Sequence, residues 1–155
     1  MPRAPTPPAS TDALTADDVV EAVHAVMHAF RARQQRAQRD GEHDLAHMEA
    51  KTLGYFARHP GATQRDLVQH AGRDKGQIAR LIAGLRERHL LDASPDDQDR
   101  RSVRLQVSAE GHRLLAVWQA HAQQVAGDAA AGMTVDERRT LVALLARMQD
   151  NLAGE

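Results

Sequence analysis

The feature that most constrains this chain is a change of period near residue 89. Before it, Ile78, Leu81, Ile82 and Leu85 are spaced 0, 3, 4 and 7, which makes one buried stripe on a helix. Beyond it, Val103-Arg104-Leu105-Gln106-Val107 alternates strictly, the period of a strand with one face inward. Leu90 to Ala93 reads as its partner strand, across a loop of about nine residues. A helix that runs straight into a two-stranded hairpin leaves few architectures open.

Upstream, Thr15 with Asp18 forms a capping-box start, and Val19, Val23, Val26, Met27 and Phe30 follow at helical spacing until Gly41. A second helix is predicted from Asp44 to about Arg58, with Leu45, Met48, Leu53 and Phe56 inward and Pro60-Gly61 as its stop. Thr63 and Asp66 cap a short third helix that ends at Gly72. Asp74 opens the fourth, with Gln77 as its reciprocal partner. After the hairpin, Ser108 caps a long helix through Leu114, Leu115, Trp118, Ala122 and Val125, which Gly127 to Gly132 interrupts. Thr134 and Glu137 cap a last helix carrying Leu141, Leu144, Leu145, Met148 and Leu152. Residues 1–14, rich in proline, are expected to be a disordered arm.

The composition excludes several classes of function. There is no cysteine, hence no disulfide, thiolate nucleophile or iron–sulfur cluster. Apolar runs of a few residues fall far short of the roughly 20 that span a bilayer, and Met1 to Ser10 lacks the apolar stretch of a secretory signal. No membrane association and a cytoplasmic location are therefore expected. A net charge of −1 hides an asymmetry: residues 58–104 hold ten Lys/Arg against seven Asp/Glu, net +3, so the remainder carries −1 − 3 = −4. The basic middle is where an anionic partner would sit.

Two short helices joined by about three residues, followed by a charged hairpin, form a winged helix-turn-helix arrangement. The outer face of the fourth helix holds Gly76, Arg80, Ala83, Gly84 and Glu87, with Gln77 at its flank. Small residues allow close approach to base edges, and Arg80 and Gln77 are types that read guanine and adenine. Arg73 and Lys75, at the amino end, suit phosphates.

The run LIAGLRERHLLDASPDDQDRRSVRLQVSAEGHRLL resembles the MarR family of bacterial transcriptional regulators. It carries a leucine-rich recognition helix, Leu90-Leu91, a wing with Asp99-Arg100-Arg101, the returning strand, and a Ser108-x-x-Gly111 helix start. The resemblance implies a mainly α fold with a small β wing, a winged helix-turn-helix core plus a helical dimerisation layer. Residues 44–107 would form the DNA-binding region of one domain spanning 15–152, with 15–41 and 108–152 forming the dimerisation helices. It implies that Arg101 enters a minor groove, where narrow A·T-rich DNA concentrates negative potential. Asp99 would brace the wing through backbone or an arginine, and Arg100 lies beside them. Two departures stand out: His89 occupies a position where the family typically has Gly, and Ala93 and Ser94 stand where it often has arginines. A left-handed His is strained relative to Gly, and binding would lean more on Arg73 and Lys75.

The implied partners are a second copy of the chain, double-stranded DNA with a pseudo-palindromic site, and a small aromatic or anionic effector that releases it. The effector's cleft would be lined by His28, Met48, Tyr55 and Trp118. Nine histidines against two phenylalanines raise an alternative, zinc sensing through Glu21, His24, His28, His43 and His47. The same residues could instead titrate near neutrality and make DNA binding pH-dependent. A winged module that binds protein is a further alternative. An enzyme is not expected, since no nucleophile, phosphate loop or His-Glu-x-x-His string accompanies the histidines. No cofactor is called for.

Overall fold

Eight elements follow one another in the computed structural model, which describes residues 14–99 and 101–154. They are α1 (Ala16–Arg39), α2 (His47–Arg58), α3 (Gln64–Ala71), α4 (Lys75–Glu87), β1 (Leu91–Pro95), β2 (Val103–Val107), α5 (Ala109–Ala129) and α6 (Val135–Ala153). The expected arm lies, apart from Leu14, outside the described residues, as does Arg100. Among the described residues no helix is long and apolar enough to cross a membrane.

Each helix start follows from its cap. Thr15, Thr63 and Thr134 accept from the third residue of their helices and receive a carboxylate in return from Asp18, Asp66 and Glu137. These reciprocal bonds satisfy amides that a helix end otherwise leaves unpaired. At Asp74 the bond runs one way: its carboxylate accepts from Gln77 N, and no reciprocal bond from the Gln77 side chain accompanies it. Gly72 takes a left-handed conformation (φ 57°) and ends α3 where the sequence places it.

Three expected boundaries move. α2 begins at His47, not Asp44, because Glu49 turns back to the amide of Ala46. Leu45 is fully buried before the helix starts. β1 continues through Ser94 and Pro95, which pair with Arg104 and Val103, so the loop is shorter than expected. Pro95 sits at the strand's end, where its missing N–H is tolerated. α5 runs through Gly127 and stops at Ala129.

The core joins α2, α3, α4, the hairpin and α5 around Leu53, Phe56, Ile78, Leu85, Leu90 and Leu105. The end of α4, the start of β1 and the start of α5 meet at one joint. Leu90 N donates to Leu85 O (2.8 Å) and His89 N to Arg86 O (2.9 Å), a Schellman ending with His89 in the left-handed position (φ 55°). Ser108 then donates twice, from its amide to Leu90 O (3.1 Å) and from its hydroxyl to His89 O (2.7 Å). Its hydroxyl also accepts from Gly111 N (3.0 Å). Gly111 must be glycine there, because a Cβ would stand 2.3 Å from Leu90 O.

The outer helices are apolar but uncovered. α6 buries none of its residues, and Leu141, Val142, Leu144 and Leu145 stay exposed. On α1, Val19, Val20, Val26 and Met27 do the same.

Gly111→Ala is expected to cost about 3 kcal/mol, since backbone and not a flexible side chain blocks the added methyl; this would lower the Tm by roughly 6–12 °C. His89→Gly should stabilise by about 0.5–1 kcal/mol by relieving the left-handed conformation. A Tm unchanged in the first variant, or lowered in the second, would refute this account of the joint.

Candidate nucleic-acid interface

The hairpin is held in shape by an acid that the sequence alone does not single out. Asp96 is buried, and its carboxylate accepts from Gln98 N (2.9 Å) and pairs with Arg104 (3.1 Å). The Gln98 amide, followed by the arginine, holds the Asp96 carboxyl below the usual carboxylate range. Asp99, the expected brace, does a smaller job: its carboxylate accepts from Arg101 N (3.0 Å), closing an Asx turn, and its carbonyl accepts from Ser102 N (2.8 Å). No bond from Asp99 to an arginine side chain is present among the described residues. It makes the tip, while Asp96 anchors the base.

Arg104 couples the hairpin to the helices. Beyond Asp96, its guanidinium donates to Gly61 O (3.2 Å), and its backbone bridges antiparallel to Thr63. Gly61 N in turn donates to Leu105 O, and Leu105 N to Ala62 O (3.0 Å). The segment ahead of α3 therefore acts as a third strand beside β2. Its shortness leaves no alternating pattern by which the sequence could reveal it.

Between α3, α4 and the hairpin lies an open groove of about 710 Å³. Arg65, Lys75, Arg86 and Arg101 line it, with Asp99 as the one acid among its lining residues. Lys75, Asp99 and Arg101 were expected at such a surface; Arg65 and Arg86 were not. Both are scattered cations in the sequence, and only the packing of α3 against α4 turns them to one groove. Of the remaining candidates, Arg73 is exposed in the turn between α3 and α4, and Gly76, Gln77 and Arg80 lie exposed on α4. Arg80 Nε donates back to Gly76 O (3.3 Å). The carboxyl end of α4 is tied down by Arg88, which binds the carboxylates of Glu49 and Asp44 (3.0 Å each) and Asp44 O (2.7 Å).

A second site lies where α1, α2 and α5 meet. A cavity of about 150 Å³ is lined by Arg31, Gln34, His43, Leu45, His47 and Trp118, among others. Of the four side chains expected in a cleft here, Trp118 alone lines it. His28 is exposed on α1, Met48 is half-buried outside the cavity, and Tyr55 is buried against His59 and His70. His43, Leu45 and Ala46, which precede α2, stand on the cavity wall where Met48 and Tyr55 were expected. Nor do the proposed zinc residues converge. Glu21, His24 and His28 stay on the exposed face of α1, whereas His43 packs on His121 (5.3 Å between rings) and His47 on Trp118 (5.9 Å). Among the described residues no group of three or more His, Asp or Glu could hold a metal ion.

Comparison with known proteins agrees with this geometry. Residues 43–102 match the model of the MarR family. The chain is 26% identical over 153 residues to the HTH-type transcriptional repressor NicR of Pseudomonas putida, covering 97% of each. Among solved structures it is similar to FabT of Streptococcus pneumoniae in complex with DNA (TM-score 0.77, 14% identity, 90% of this chain and 99% of that one). It is also similar to the PcaV regulator of Streptomyces coelicolor (TM-score 0.73, 22% identity, 88% and 98%).

Asp96→Asn should loosen the hairpin. Because the folded carboxyl lies below its unfolded value, its contribution is present at neutral pH and is lost as pH falls through the folded value. Protection of the Gln98 and Ser102 amides, relative to intrinsic exchange at the same pH, should fall on acidification in the parent and be low already at neutral pH in the variant. Equal protection in both proteins at pH 7 would contradict the role given to Asp96.

Proposed function

We propose, from the premise that this chain belongs to the MarR family of transcriptional regulators, that it acts as a homodimeric repressor released from DNA by a small anion. The protein is a DNA-binding regulator and not an enzyme. The observation that carries the finer reading is the convergence of Arg65, Lys75, Arg86 and Arg101 on one groove between the helix pair and the hairpin. Four cations against Asp99 match a phosphodiester strand running between a major groove read by α4 and a minor groove entered by the hairpin tip.

In this reading Arg101 inserts into the minor groove, and Asp99 sets the backbone turn that presents it. Gln77 and Arg80 face base edges from α4, where Gly76 permits close approach. Arg65, Arg73, Lys75 and Arg86 neutralise phosphates. Arg65 and Arg86 also answer the absence of arginines at 93 and 94, by supplying cations from neighbouring elements.

The exposed apolar stripes of α1 and α6 support the homodimer, since an isolated soluble chain rarely leaves patches of that kind uncovered. A two-fold axis would then set two reading heads about one helical turn apart on a pseudo-palindrome. The repressor sign is supported by the relative in Pseudomonas putida, named as a repressor. The cavity between α1, α2 and α5 is the candidate effector site. It lies between the helices that would pair and the body that would bind DNA, so an occupant can shift one against the other.

Fluorescence anisotropy on DNA from the gene's own upstream region tests the interface. Arg101→Ala and Arg80→Ala should each weaken specific binding by roughly 10–100-fold. Arg65→Ala should weaken binding on any sequence and reduce the salt slope by about one. Unchanged affinity in both Arg101→Ala and Arg80→Ala would leave the protein-binding alternative in place of the proposed groove contacts.

A further inference from the structure

The cavity between α1, α2 and α5 gathers an unusual set of unpaired polar atoms. Gln34 Nε2, His43 Nδ1, His47 Nδ1 and Trp118 Nε1 are all buried without a hydrogen-bond partner among the described residues, and all four side chains line it. Buried polar groups are almost always satisfied, so such a concentration is suited to pairing with a polar ligand. The bonds that are made say what kind. Gln34 Oε1 lies 3.2 Å from His43 Nε2, which therefore carries the proton in that contact; this fixes the Gln34 amide with its N–H groups free. Trp118 Nε1 is a donor only. The proton on Nε2 leaves His43 Nδ1 as an acceptor, so the wall offers two donors and the positive charge of Arg31 against one lone pair, a balance that suits an anion. Its volume, about 150 Å³, is that of a cavity that holds a benzene-sized ring, and Trp118 and Leu45 supply apolar surface for one.

His47 is the group whose state must change when such an anion arrives. It is held below the ordinary imidazole range first by burial, then by Lys51 on its own helix, Arg31 of α1 and Arg73 ahead of α4. His43 stands in the connection beside it, and α5 presents the Trp118 ring. The nearby acids are engaged elsewhere: Glu49 by Arg88, and Glu42 by His121 (3.2 Å). Burial and these cations therefore favour a neutral His47, whose Nδ1 meets no partner among the described residues. A carboxylate in the cavity reverses the balance, because a negative charge against the ring favours imidazolium and makes Nδ1 a third donor to the anion.

We propose that binding of a single-ring carboxylate in this cavity is coupled to uptake of one proton by His47. The inference rests on the effector reading above and adds its regulation: the protein responds to anion and proton together. The sign follows from linkage. Bound anion raises the proton affinity of His47, so anion affinity rises as pH falls from the bound-state value to the free-state value, by up to about tenfold per pH unit, and levels off outside that window.

Trp118 is the chain's one tryptophan, so its emission reports occupancy directly. The full chain is titrated with benzoate, which stays ionised throughout, and with benzamide, its uncharged counterpart, between pH 5.5 and 8.5. Benzoate affinity should climb several-fold per unit as pH falls, and benzamide should bind more weakly with no pH dependence. His47→Gln should still bind benzoate but with a flat profile. Calorimetry in buffers of different ionisation heat should count close to one proton taken up by the parent and close to none by the variant. A flat benzoate profile in the parent, or an unchanged slope in His47→Gln, overturns the coupling. No Trp118 response to benzoate at any pH overturns the occupant assigned to the cavity. DNA affinity of the unliganded protein in the same buffers reports the regulator reading separately, so the two can fail independently.

Discussion

The backbone carbonyls of His89 and Leu90 are the point on which the rest of the molecule turns. They receive Ser108 from the far side of the hairpin, and Gly111 lets α5 come against Leu90 at a distance no side chain permits. One joint thereby sets the angles of three elements: α4, which lines the groove; β1, which leads into the hairpin; and α5, which walls the cavity. A left-handed residue is obligatory at this ending, and histidine there accepts strain that glycine would avoid. The strain is tolerated because Leu85 and Leu90, on either side of the turn, are both buried in the core.

Charge works differently at the two ends of this framework. In the hairpin, opposite charges nearly cancel in sequence, yet they are sorted in space. Asp96 faces inward and binds Arg104, Asp99 shapes the tip, and Arg101 is left to line the groove with cations from α3 and α4. An ion pair with one well-buried partner and a backbone bond holds geometry better than an exposed pair would. At the cavity, by contrast, Arg31 shares the wall with two imidazoles held below their ordinary range, and no acid is among the lining residues. The first arrangement pairs its own charges; the second leaves polar atoms on the wall available to a ligand. Both are connected through α2, whose first turn contributes His47 to the cavity wall and Glu49 to the Arg88 clamp on α4.

Much of the interface could be read from residue order. The stripe Ile78-Leu81-Ile82-Leu85, the capping residues Thr15, Thr63 and Thr134, and the alternation from Val103 are local signals, and each appears where its own neighbours dictate. Lys75, Asp99 and Arg101 were accessible for the same reason, since a turn and a helix start fix their direction. Arg65 and Arg86 were not, because nothing within their own helices says which groove they will face. Asp96 was hidden for a related reason. Among three aspartates in four positions, only burial against Arg104 and the strand ahead of α3 separates the anchor from its exposed neighbours.

The cavity shows the division most clearly. Of the residues singled out from the sequence, Trp118 lines the cavity and His28, Met48 and Tyr55 do not, because the face that α1 and α2 turn inward is set by the helices packed against them. By itself the sequence determined the elements, their caps, the left-handed joint at His89 and the charged hairpin, all of which depend on interactions a few residues apart. Only the tertiary structure decided which acid anchors the hairpin, which cations share the groove, and which histidines line the cavity. Those outcomes depend on burial and on charges brought together from distant parts of the chain, which periodicity does not record.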